Sequence, residues 1–128
     1  MAYYFSKVLD TSFDNAVQRV MDELKKEGFG ILTDIDVQQT LKKKLDVDFR
    51  PYRILGACNP PFAYKALRAE DKIGTMLPCN VIVQETSDKK VEVAAIDPVA
   101  SMQAIDNQGL GEIAEEVRSK LKTVIENL

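Results

Sequence analysis

Aromatic and branched residues crowd Tyr3–Leu9, which predicts a first β-strand. Thr11 and Ser12 then offer N-cap oxygens, and Asp14 in the first turn suits the positive end of a helix dipole. Phe13, Ala16, Val17, Val20, Met21 and Leu24 recur at helical spacing, with charged residues between them, and Gly28 closes that helix in a left-handed conformation. Phe29–Asp36 predicts a second strand. Val37, Leu41 and Leu45 stand four apart beside Lys42, Lys43 and Lys44, the pattern of a short amphipathic helix. Tyr52–Cys58 predicts a third strand. Asn59-Pro60-Pro61 starts a helix, with Asn59 as cap, because proline tolerates the first helical positions. Phe62, Ala63, Ala66 and Leu67 form that helix's apolar face.

Ile73–Pro78 predicts a connecting loop. Cys79–Glu85 and Lys90–Ile96 predict an antiparallel hairpin joined at Thr86-Ser87-Asp88-Lys89. Asp97-Pro98 breaks the second strand, and a short turn of helix follows at Val99–Met102. Leu110, Ile113, Ala114, Val117, Leu121, Val124 and Ile125 mark a long closing helix, with Glu112, Glu115, Glu116, Arg118, Lys120 and Lys122 assigned to the water side. Successive strands joined by hairpins favour an antiparallel sheet with helices packed on one face, an α+β domain. Residues 1–128 contain no repeat, linker or low-complexity stretch and are expected to form one domain.

Composition changes the picture mainly by what it omits. The 128 residues include no histidine, which removes the usual general base near neutral pH and every His-containing triad or zinc site. The net charge is −3 with both signs interspersed, so a nucleic-acid partner is not expected. The opening residues lack the pattern of an export signal and no stretch has the length of a membrane span, so the expected setting is cytoplasmic, with reduced thiols and no membrane partner.

The candidate chemistry is a pair of cysteines. If the third and fourth strands are antiparallel neighbours, Cys58 and Cys79 come to one edge of the sheet, with Asn59 beside them. Such a pair can be a redox dithiol, a soft-metal site completed by a residue such as Glu85 or across a dimer, or a nucleophile with its resolving partner. The alternative is two small buried hydrophobes. The free amides at the Asn59-Pro60-Pro61 turn are a weak anion site, since two prolines remove two donors. Gly109-Leu110-Gly111 lacks the spacing of a dinucleotide fingerprint.

Gly56-Ala57-Cys58-Asn59-Pro60, Ala63 and Leu67, Gly74-Thr75-Met76-Leu77-Pro78-Cys79, the Val81, Val83 and Glu85 strand, Val91-Glu92-Val93 and Asp97-Pro98 together resemble the family known as domain of unknown function 302 (DUF302). The opening strand and helix and the closing helix match as well. The resemblance implies a β-α-β(4)-α fold of the TATA-binding-protein-like group, here with small inserted helices. It also implies an uncharacterised conserved protein that pairs as a homodimer and has no established activity, and it places Cys79 on the family's Leu-Pro-Cys element. DNA binding does not follow from the fold group.

The leading expectation is therefore a homodimeric module that binds a small molecule or a protein partner without catalysis and without a cofactor, using Cys58, Asn59 and Cys79. The alternatives are a thiol redox enzyme or sensor built on Cys79 and Cys58, and a soft-metal protein with those two ligands.

Overall fold

The computed structural model describes residues 2–128. Strands β1 (Tyr4–Leu9), β2 (Gly30–Asp36), β3 (Tyr52–Cys58), β4 (Cys79–Glu85) and β5 (Val91–Ile96) form one antiparallel sheet in the order β1-β5-β4-β3-β2. Helices α1 (Phe13–Lys26), α2 (Val37–Leu45), α3 (Pro60–Ala69), α4 (Pro98–Ser101) and α5 (Gln108–Glu126) complete the α+β fold, with the helices on one side of the sheet.

Alternation builds the core. Cys79, Val81 and Val83 on β4 and Val91, Val93 and Ala95 on β5 are buried, while Ile82, Gln84, Glu92 and Ala94 between them are only partly covered. The register sets Val81 opposite Ala95 and Val83 opposite Val93, so the inward side chains meet across strands. Onto this face α1 presses Ala16, Val17, Val20 and Leu24, and α5 presses Val117, Leu121, Val124 and Ile125. Helix α1 starts where Ser12 Oγ accepts from the Asn15 amide at 3.2 Å. It ends where Gly28, at φ 87°, lets its own N–H and that of Phe29 reach the Lys25 and Leu24 carbonyls.

A bulge interrupts β2: Ile31 faces Ala57 and Thr33 faces Gly56, so Leu32 between them has no cross-strand partner and stands 65% exposed. The register is tight there. A Cβ on Gly56 would run into Thr33 and come within 2.7 Å of Pro78, so only glycine fits where these segments cross.

The structure corrects three local expectations. Asp71–Met76 is a short 3-10 helix, held by Ile73, which is buried against Ala66 and Leu110, where a loop is expected from Ile73 onward. The apolar stripe of α2 stays outside the core: no residue of that helix is buried and Leu45 is 66% exposed, because α2 lies beside the β2 and β3 ends of the sheet. Arg118 is only partly on the water side. Its Nε donates to Asp97 Oδ2 at 3.1 Å, and its guanidinium lies 5.2 Å from the Phe5 ring centroid.

Candidate functional site

The strand order brings the two cysteines to one edge of the sheet, as antiparallel pairing of the third and fourth strands requires. β3 and β4 are neighbours, and Ala57, the residue before Cys58, is the direct cross-strand partner of Cys79. Chain direction then reverses roles at this edge: β3 runs out through Cys58 into α3, while β4 begins at Cys79. Both residues, with Asn59 between strand and helix, line one cavity of about 330 Å³ that opens to solvent. That volume lies at the lower end of the ~300–1,000 Å³ range of small-molecule sites.

The cavity's walls come from separate elements. Phe62, Ala63, Ala66 and Leu67 of α3 form one side. Leu110, Ile113, Ala114 and Val117 of α5 form another, and the 3-10 helix and Leu32 of the β2 bulge close the rest. This explains a discrepancy in α3. Its apolar face is the one the sequence marks, yet only Ala66 is buried and Leu67 is 45% exposed, because that face borders an open cavity instead of packed core.

Asn59 is the only side chain with a nitrogen or oxygen atom among the residues that line the cavity. It is 8% exposed and does not cap α3 with its side chain. The helix begins instead on the Asn59 carbonyl, which accepts from the Ala63 amide at 2.9 Å, and the Asn59 Nδ2 donates to the Glu27 carbonyl at 3.1 Å. The expected cap is thus a tie between the end of α1 and the start of α3. Prolines at the first helical positions leave few free amides there, consistent with a packing role for this turn.

The thiols are both free, Cys58 half-buried and Cys79 buried at 9% exposure. Burial pushes the Cys79 thiol up from its ordinary 9.0 to about 11, and the neighbouring Cys58 adds to the rise. At neutral pH Cys79 is therefore a neutral thiol with the character of a small apolar side chain. Among the described residues no three His, Cys, Asp or Glu side chains gather as a metal site would require. Glu85, the carboxylate expected to complete one, sits at the opposite end of β4, six residues and about 20 Å of strand away from Cys79. Chemically, the site offers apolar surface, one amide and two thiols, of which Cys79 is held un-ionised by burial.

Sequence reasoning finds Cys58, Asn59 and Cys79 and misses most of the walls. Leu32 escapes because a bulge leaves no mark in a run of apolar residues, and the α5 residues read as ordinary core. Among the described residues no helix is long and apolar enough to cross a membrane.

The sequence model of a family described as "Domain of unknown function DUF302" matches residues 5–128. A solved structure, the crystal structure of an uncharacterized conserved protein DUF302 from Bacillus stearothermophilus, is similar throughout. It has a TM-score of 0.91 at 26% sequence identity, with 98% of each chain covered. No curated protein matches the chain.

Proposed function

The chain belongs to the DUF302 family, and we propose that it is a binding module for a small, largely apolar molecule, without catalysis of its own. The observation that carries this reading is the open cavity of about 330 Å³ in which Asn59 is the only lining side chain with a nitrogen or oxygen atom. Transferring apolar ligand surface from water into such a cavity is favourable by about 25 cal/mol per Å². A cavity of ~150 Å³ already accepts benzene, so this one suits a body of roughly twice that size. The neutral Cys79 thiol supports binding over thiol chemistry, which needs a thiolate. A soft-metal reading would need ligands from a second copy to join Cys58 and Cys79.

The expected homodimer belongs to the same proposal. Tyr4, Val8 and Ile35, exposed at 42%, 54% and 47%, lie on the sheet face without helices and support it. Light scattering of the purified chain decides that part, and a monomer at micromolar concentration would remove it. A cytoplasmic, reducing setting is proposed alongside, in keeping with two free cysteines.

The test of binding is a thermal-shift screen with naphthalene-sized hydrocarbons and alcohols. A ligand at a hundred times its Kd adds about 2.7 kcal/mol of stability, a shift of several degrees. No shift with any of these probes, or turnover of a substrate by the purified protein, defeats the proposal.

A further inference from the structure

We infer that the ligand of this cavity is an amphipathic anion: an apolar body enclosed by the cavity and a carboxylate-like group held at its rim by Lys65 and Lys120. This inference rests on the binding reading above and specifies the ligand's charge. Phe62 is the point where cavity and charge meet. Its side chain lines the cavity, and two ammonium groups stand over its ring, Lys65 Nζ at 5.6 Å and Lys120 Nζ at 5.9 Å from the centroid.

The two lysines come from different helices, α3 and α5, which pack against each other and both contribute lining residues to the cavity. Like charges brought to one ring repel each other, and the ring's quadrupole only partly offsets that. Among the described residues neither ammonium lies within 4.0 Å of a carboxylate, although six other salt bridges form on this chain. Glu116, one turn before Lys120 on α5, is exposed and makes no bridge to it. Arg68, one turn beyond Lys65, is engaged elsewhere: it donates to Tyr64 Oη at 3.4 Å and lies over the Tyr64 ring.

The interior itself excludes charge. It presents hydrocarbon, two thiols and one amide and no cationic side chain, so an ionised headgroup inside would lose its hydration with no cation to replace it. At the rim the same headgroup keeps water on one side and gains two ammonium partners on the other. The arrangement therefore reads polarity along one axis, apolar first and anionic last. Taking ~150 Å³ for a bound benzene, the apolar body amounts to about ten to twelve carbons.

Isothermal titration at low ionic strength separates the possibilities with three probes of equal tail length: decanoate, decanol and decyltrimethylammonium, each below its aggregation concentration. The expected result is single-site binding in the order decanoate, decanol, cation, with decanoate at least five-fold tighter than decanol and that margin shrinking in high salt. The double variant Lys65→Gln with Lys120→Gln should bring decanoate down to the affinity of decanol while leaving decanol within two-fold of the native chain. Equal affinities for decanoate and decanol on the native chain overturn the anionic assignment and leave the apolar cavity standing. Decanoate affinity unchanged in the double variant overturns it too. Binding of none of the three overturns the cavity reading itself.

Discussion

Asn59 reaches 32 residues back along the chain to donate its Nδ2 proton to the carbonyl of Glu27 at 3.1 Å. That carbonyl is at the C-cap of α1, where the last turn leaves acceptors without helical donors. The same amide stands 3.2 Å from where a Cβ on Gly28 would project, so the left-handed glycine and the asparagine fit as a pair. Asn59→Ala should cost about 1–3 kcal/mol, the range for a buried hydrogen bond with one partner left unmet. Asn59→Asp should cost more, since an acceptor then faces an acceptor. Urea denaturation of both variants checks the order. Equal loss in the two would mean that no acceptor–acceptor repulsion arises at Glu27, and no loss in Asn59→Ala would mean that the bond contributes nothing.

Gly56 is predicted to be irreplaceable for a steric reason. Substitution by alanine places a methyl against Thr33 and within 2.7 Å of Pro78 Cγ, so Gly56→Ala should destabilise the fold by about 1–3 kcal/mol. Adding Thr33→Ala should recover part of that loss, because the nearest clashing atom is the threonine oxygen. Thermal unfolding of the single and double variants gives the comparison. A double variant no better than Gly56→Ala would assign the whole strain to Pro78.

The elements of this fold are legible in the sequence because their local signals agree. Ser12 and Gly28 bracket α1, the period-two run from Cys79 to Ile96 gives the hairpin, and the single order of strands follows from antiparallel pairing. The cavity is less legible, and the cause is physical. An apolar face reads identically whether it meets packed side chains or empty space, so Phe62, Ala63 and Leu67 give no sign that they border an opening. Arg118 is invisible for a related reason. Its partner Asp97 lies 21 positions away, and nothing in the charge pattern of α5 distinguishes it from Lys122.

Asp97 is the buried charge whose removal should be felt most. At 6% exposure it accepts from the Val99 and Ala100 amides with one oxygen and from Arg118 with the other. Asp97→Ala removes the α4 cap and orphans the guanidinium, with an expected loss of about 2–4 kcal/mol. Arg118→Met keeps the cap and an apolar stem beside Phe5 while losing the cation, so a smaller loss of about 1–2 kcal/mol is expected, since the arginine is partly solvated. Denaturant midpoints that rank the two variants the other way would contradict the division of labour between the two carboxylate oxygens.

Filling the cavity should abolish binding and spare the fold. Gly74 lines it, and a Cβ there meets only Leu67 Cδ2, at an ordinary 4.0 Å. Gly74→Leu should therefore be accommodated within about 1 kcal/mol while its side chain occupies ligand space, as in other volume-filling changes at open sites. Affinity for a naphthalene-sized probe is expected to fall ten-fold or more, with Ala63→Leu acting alike from α3. Probe affinity retained in both variants, with unfolding midpoints unmoved, would place the ligand elsewhere on the molecule.

Cys79 gives the site a dependence on alkaline pH. In the unfolded chain its thiol titrates near 9.0, whereas in the fold burial holds the proton until about 11. Between those values the native state binds more protons than the unfolded state, so stability falls as pH rises. The contribution is complete below pH 9.0, and its loss through about 11 amounts to roughly 3 kcal/mol, on the order of 1.4 kcal/mol for each tenfold change in proton affinity. Lysines and tyrosines titrate in the same range, so the measurement is a difference: urea midpoints of the native chain and of Cys79→Ala at intervals from pH 8 to 11. The variant should begin less stable, because a buried sulfur is lost, and the two curves should converge as alkali ionises the native thiol. Curves that stay parallel across the interval would mean that water reaches Cys79 freely, and with that the picture of an apolar, charge-excluding cavity floor would fail.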